Sequence, residues 1–99
     1  MSATKKHNSV ADLTAFQRDL LRILAKADGR KGLSLKAELA DYYGEEINHS
    51  RLYQNLDKLV EHGLIDKTQR DRRTNEYSLS GASRNALARR DKWVDGGDR

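Results

Sequence analysis

The sequence predicts a mostly α-helical domain with one small β-hairpin. Three observations carry that prediction. Apolar residues recur at helical spacing in separate runs between Phe16 and Val60. Short segments of strand-like spacing then flank the polar tip Arg70-Asp71-Arg72-Arg73. A last helical run follows Ser80, and the 99 residues contain no proline to interrupt any of these elements.

Each element has its own signal. Thr14 and Gln17 have the spacing of a capping box. Phe16, Leu20, Ile23, Leu24 and Ala27 then share one helical face, so a first helix is expected to end near Ala27. Asp28-Gly29-Arg30-Lys31-Gly32 reads as a turn. Ser34 is the expected N-cap of a second helix that carries Leu35, Leu39 and Tyr43 and closes at Gly44. After a short connection through Ile47, Asn48 caps a third helix with Leu52, Leu56, Leu59 and Val60 on one side, stopped by Gly63. Residues 64–69 and 74–79 are the expected strands of the hairpin. Ser80 caps a fourth helix over residues 81–94. Residues 1–12 are expected to form a flexible basic arm, 13–94 the single domain, and 95–99 a frayed tail.

Composition excludes several classes of function. A chain of 99 residues supports one small core and little room for a second catalytic or sensing domain. No apolar run approaches the roughly 20 residues of a membrane span, and Met1 to Asn8 lacks the apolar stretch of a secretory signal. The absence of cysteine rules out a disulfide framework, thiolate zinc sites and a thiol redox sensor. A cytoplasmic protein is therefore expected.

Charge is clustered rather than merely positive. The net +4 arises from 19 basic and 15 acidic residues. Between Asn8 and Asp66 eight Lys/Arg face ten Asp/Glu, a balance of −2. Lys67 to Arg73 carries +3, Gly81 to Lys92 another +3, and Lys5 and Lys6 add two. Clusters of this kind suit an anionic partner contacted at defined places, the alternative being surface charge that serves solvation alone.

The order of helix, short helix, helix and hairpin is that of a winged helix-turn-helix. Within residues 48–80 the sequence supplies Leu52-Tyr53, Leu56, Leu59, Gly63-Leu64-Ile65, the basic hairpin Arg70 to Arg73, and Tyr77-Ser78-Leu79-Ser80. That pattern resembles the core of the PadR-like winged-helix transcriptional regulators, and with the first two helices the resemblance covers about residues 13–94. Ser80 stands where the family usually has Thr, with a glycine directly after it, and a single helix replaces the long C-terminal coiled coil of many members. The resemblance implies a winged helix-turn-helix with an added C-terminal dimerisation helix, double-stranded DNA as partner, and Tyr53 against the DNA backbone. A half-buried core aromatic is the other reading of Tyr53.

In the third helix the apolar stripe leaves Ser50, Arg51, Gln54, Asp57, Lys58 and Glu61 on the opposite face. Its first half is free of acid, so that half is expected in the major groove, with Arg51 suited to a guanine edge and Gln54 to an adenine edge. Asn48, His49 and the free amides of the helix start suit phosphate, with Lys58 further along the same helix. Lys67, Arg70, Arg72 and Arg73 form a cationic finger for flanking phosphates or a narrow minor groove, where arginine is favoured. The competing reading is an edge hairpin kept soluble by its charge. Asp71 within that run either orients an arginine or promotes the turn.

Two apolar strips on the fourth helix, one with Trp93 and one with Leu87 and Val94, together with Leu21 on the first, predict a homodimer interface. The alternative folds Trp93 back over its own chain. No enzyme is expected: His7, His49 and His62 lack metal-ligand spacing, and no nucleophile elbow or glycine-rich phosphate loop occurs. Asp66, Asp71 and Glu76 among arginines read as ion-pair partners rather than a metal cluster. Neither cofactor nor metal nor membrane contact is expected. The function so predicted is a sequence-specific DNA-binding regulator, a repressor bound as a homodimer to an inverted-repeat operator. The alternative is a winged-helix adaptor for protein assembly.

Overall fold

The structure, a computed structural model, describes residues 10–96. Lys5 and Lys6 of the expected arm and residues 97–99 of the expected tail lie outside it. The chain runs through a 3-10 turn (Val10–Asp12), α1 (Ala15–Lys26), β1 (Arg30–Lys31), α2 (Gly32–Tyr43), α3 (His49–Glu61), β2 (Ile65–Gln69), β3 (Asn75–Leu79) and α4 (Gly81–Val94). The expected arm is thus shortened at its inner end: Val10 is buried and its turn packs on α4.

Local signals explain most boundaries. Thr14 and Gln17 make both halves of the capping box, each bond 3.1 Å long. Asn48 caps α3 by accepting the Arg51 N–H at 2.8 Å, and Ser80 caps α4 by accepting that of Ser83. Gly44 closes α2 in the left-handed region at φ 70°. Helix α2 departs from expectation, because it begins at Gly32 rather than after Ser34. No side chain caps its start, and the Ser34 hydroxyl instead accepts from the Arg30 guanidinium.

That shift follows from a strand too short to announce itself. Arg30 and Lys31 pair antiparallel with Tyr77 and Glu76, making a three-stranded sheet in the order β1-β3-β2. Once this edge pairs with β3, α2 starts immediately behind it. The hairpin register sets Ile65 opposite Leu79, Lys67 opposite Tyr77 and Gln69 opposite Asn75. Side chains alternate across a strand, so Lys67 and Gln69 share the face of Ile65, Leu79 and Tyr77. The Tyr77 ring lies near Tyr53 and Asp57, which turns this face toward α3.

Helix α1 is the central element and packs on α2, α3 and β3. It therefore buries a wide arc comprising Phe16, Leu20, Leu21, Ile23 and Leu24. Leu21, expected at a dimer interface, is fully buried in the chain's own core, as is Leu87 at 4% exposure. These two assignments are corrected: α1, enclosed on several sides, needs more than one apolar stripe, and Leu87 belongs to the face that α4 turns inward, the helix packing on the Val10–Asp12 turn. In α3, Leu52, Leu56 and Leu59 are completely buried. At about 2 kcal/mol for each buried leucine, they outweigh a cap worth about 1 kcal/mol, so packing holds this helix in place.

Candidate nucleic-acid interface

Helix α3 presents three surfaces besides its buried leucines. Its outward side carries Ser50, Gln54, Asp57 and Lys58, all exposed, with the acids confined to the later turns. One flank faces α1. Here Gln17 Nε2 donates to Asn55 Oδ1 at 2.9 Å, and Asn55 Nδ2 donates to the Arg51 carbonyl at 2.8 Å. Arg51, expected among the base readers, lays its guanidinium over the Phe16 ring, 3.9 Å from the centroid. A cation–π contact of this kind is worth about 0.5–1 kcal/mol at exposed sites and directs the side chain toward α1. Phe16 in turn stacks with Tyr43, whose hydroxyl donates to Asp19. Burial, aided by that bond, pushes the Tyr43 hydroxyl up to about 12.

The other flank carries His49 and Tyr53, their ring centroids 4.6 Å apart. Tyr53 is half-buried, and its ring and hydroxyl rest over Gly32 at the start of α2. A Cβ on Gly32 would overlap Tyr53 Oη and lie 2.7 Å from its Cζ. Gly32→Ala is therefore expected to displace the Tyr53 ring while leaving the fold intact. By NMR the Tyr53 and His49 ring signals should shift markedly with the melting temperature nearly constant. Unchanged ring signals would contradict this packing.

In the hairpin tip, Asp71 promotes the turn. Its Oδ1 accepts the Arg73 N–H at 2.9 Å, which holds the carboxyl below the usual carboxylate range. Arg70 pairs with Glu76 at 3.6 Å, the ion-pair role expected for Glu76. Lys67, Arg72 and Arg73 are exposed, and none forms an ion pair among the described residues. Between the tip, the first turn of α3 and the start of α2 runs a groove of about 350 Å³, lined in part by Lys31, Gly32, His49, Tyr53, Arg73 and Tyr77.

Sequence reasoning brings Asn48, His49, Ser50, Tyr53, Gln54, Lys58 and the hairpin cations onto α3 and the wing, as the structure also does. It misses Lys31, Gly32 and Tyr77. The signal for the first two was the Lys-Gly pair itself, hidden by assigning the helix start to Ser34. On α4, Trp93 and Val94 are 74% and 59% exposed, so Trp93 does not fold back over its own core. No group of residues suited to a metal ion occurs among the described residues. None of their helices is long and apolar enough to cross a membrane.

Comparison with known proteins agrees with this geometry. RosR of H. salinarum, in a structure grown from NaBr, is 48% identical and superposes with a TM-score of 0.83, covering 87% of this chain and 77% of that one. RosR in the complex hsRosR-SG is 46% identical at a TM-score of 0.85, covering 89% and 78%. A MarR mutant from E. coli, complexed with operator DNA, is 22% identical at a TM-score of 0.67, covering 84% and 56%, and shares the winged-helix fold. Among curated proteins no match is found. The family described as transcriptional regulator PadR-like matches residues 20–89, most of the domain just described. The chain belongs to the PadR-like family of transcriptional regulators.

Proposed function

We propose that the protein is a sequence-specific DNA-binding repressor that occupies an inverted-repeat operator as a homodimer. One observation carries this reading: His49 and Tyr53 of the acid-free first half of α3 and the unpaired wing cation Arg73 line the same groove. In this reading Gln54 pairs with an adenine edge and Ser50 contacts a neighbouring base. Asn48, His49, Tyr53 and Lys58 meet the backbone. Lys67, Arg72 and Arg73 of the wing reach flanking phosphates or the minor groove, with Arg70 partly neutralised by Glu76. Arg51 braces α3 on Phe16 rather than reading a base. Exposed Trp93 and Val94 meet their counterparts in a second copy, setting two recognition helices about 34 Å apart on successive major grooves. The operator-bound MarR relative supports the docking geometry by likeness of fold. Action on chromosomal DNA places the protein in the cytoplasm.

Selection of bound fragments from random duplex DNA at defined salt tests this function. The wild type should enrich two half-sites in inverted orientation. Gln54→Ala should lose preference at one base pair per half-site, a discrimination of about 1–3 kcal/mol. Arg51→Ala should retain the same motif and melt at a lower temperature. Failure of the wild type to enrich any motif would overturn the reading.

A further inference from the structure

The flank of α3 that meets α1 carries a chain of hydrogen bonds running in one direction. The Thr14 N–H donates to Gln17 Oε1 at 3.1 Å, Gln17 Nε2 donates to Asn55 Oδ1 at 2.9 Å, and Asn55 Nδ2 donates to the Arg51 carbonyl at 2.8 Å. Each side-chain amide thus has both its acceptor and its donor end engaged. Flipping either one would set donor against donor at one contact and acceptor against acceptor at the other. Gln17 and Asn55 lie 38 positions apart in the chain, and both are half-buried. The link joins the capped N-terminus of α1 to the part of α3 that carries Ser50 and Gln54. Asn55 directly follows Gln54 and stands about 100° from it around the helix axis.

Base reading is sensitive to the rotation of α3 about its own axis. The burial of Leu52, Leu56 and Leu59 holds the helix on the core, but hydrophobic attraction has no direction. At a helix radius of about 5–6 Å, a rotation of about 10° carries a side-chain tip about 1 Å. Hydrogen-bond distances span only about 0.5 Å. The amide chain is directional, and it holds α3 at two points, the Arg51 carbonyl and the Asn55 side chain. We propose that Gln17 and Asn55 are positioning residues that set the rotation of α3, so that Gln54 and Ser50 meet their base edges together. The assignment rests on the DNA-binding function above and requires no contact between DNA and either amide. Arg51 enters the link through its carbonyl, which any residue provides, whereas its guanidinium braces the helix on Phe16.

The test measures the full chain against the duplex recovered by selection, its single-base-pair variants and an unrelated duplex. Asn55→Ala should lose discrimination at both base pairs read by Gln54 and Ser50, by about 3–10-fold, the range to which the net free energy of one hydrogen bond converts. Gln54→Ala, by contrast, loses it at one. Affinity for the unrelated duplex and its salt slope should not change, because no cation is removed. Gln17→Met breaks the same link from α1 and serves even if Asn55→Ala folds poorly. It should give the same pattern, and the double variant should be no worse than either single one. Thr14→Ala is the control for stability. It should lower the melting temperature with discrimination intact, since the N–H of residue 14 still holds Gln17 Oε1. Full discrimination in both Asn55→Ala and Gln17→Met would overturn the assignment and leave the DNA-binding function standing. Loss at a single base pair would make Asn55 a base reader, and an equal loss in Thr14→Ala would make the effect one of stability; either result also overturns it. If the wild type enriches no motif, the function and the assignment fall together.

Discussion

Replacing Trp93 and Val94 together with glutamate is expected to yield a folded monomer that binds its operator at least a hundredfold more weakly. Both side chains are largely exposed in the single chain, at 74% and 59%, so their replacement removes almost nothing from the core. Surface substitutions of this kind usually alter stability by about 0.5 kcal/mol or less. In a homodimer the same positions would put like charges into an apolar contact. The binding loss arises because a linked second half-site acts at high effective concentration, which typically raises affinity by about 10²–10⁴. Sedimentation at micromolar concentration, circular dichroism and operator binding check the three parts separately. A variant that remains dimeric would move the interface away from the end of α4.

Replacing Arg72 and Arg73 together with alanine is expected to weaken operator binding by about 10–100-fold at moderate salt, and the salt slope should fall by about two. The hairpin should survive. The Asp71 carboxylate holds the turn through the backbone N–H of residue 73, which alanine also provides. Arg70→Ala should have a smaller effect than either, since Glu76 already offsets part of that charge. Fluorescence anisotropy across a salt series measures both quantities. An unchanged slope would make the wing a solubilising edge rather than a DNA contact.

The helical framework is legible in the sequence because its signals are local. Capping residues at 14, 48 and 80 and the glycine at 44 each act within one turn of the chain. The outward and buried sides of α3 follow from its period. What escapes is decided by distant partners. Leu21 and Leu87 look surplus when each helix is considered alone, yet α1 is enclosed by α2, α3 and β3 and needs both sides, and α4, which carries Leu87, packs on the Val10–Asp12 turn. Strand β1 has only two residues and exists through its pairing with β3, which also moves the start of α2 from Ser34 to Gly32. Arg51 lies at the edge of the polar face by helical geometry, and Phe16, thirty-five positions earlier, determines where its guanidinium rests.

Titrating isotopically labelled protein with its selected duplex, and following every backbone amide by NMR, addresses the interface most directly. Signals of Asn48 to Gln54, of Lys31 to Leu33, and of Lys67 and Arg70 to Arg73 should shift with the stoichiometry of one half-site per chain. Those around Asp19, Lys26 and Tyr42, on the opposite α1–α2 surface, should remain in place. Shifts concentrated on that α1–α2 surface, with α3 and the wing unmoved, would contradict the account.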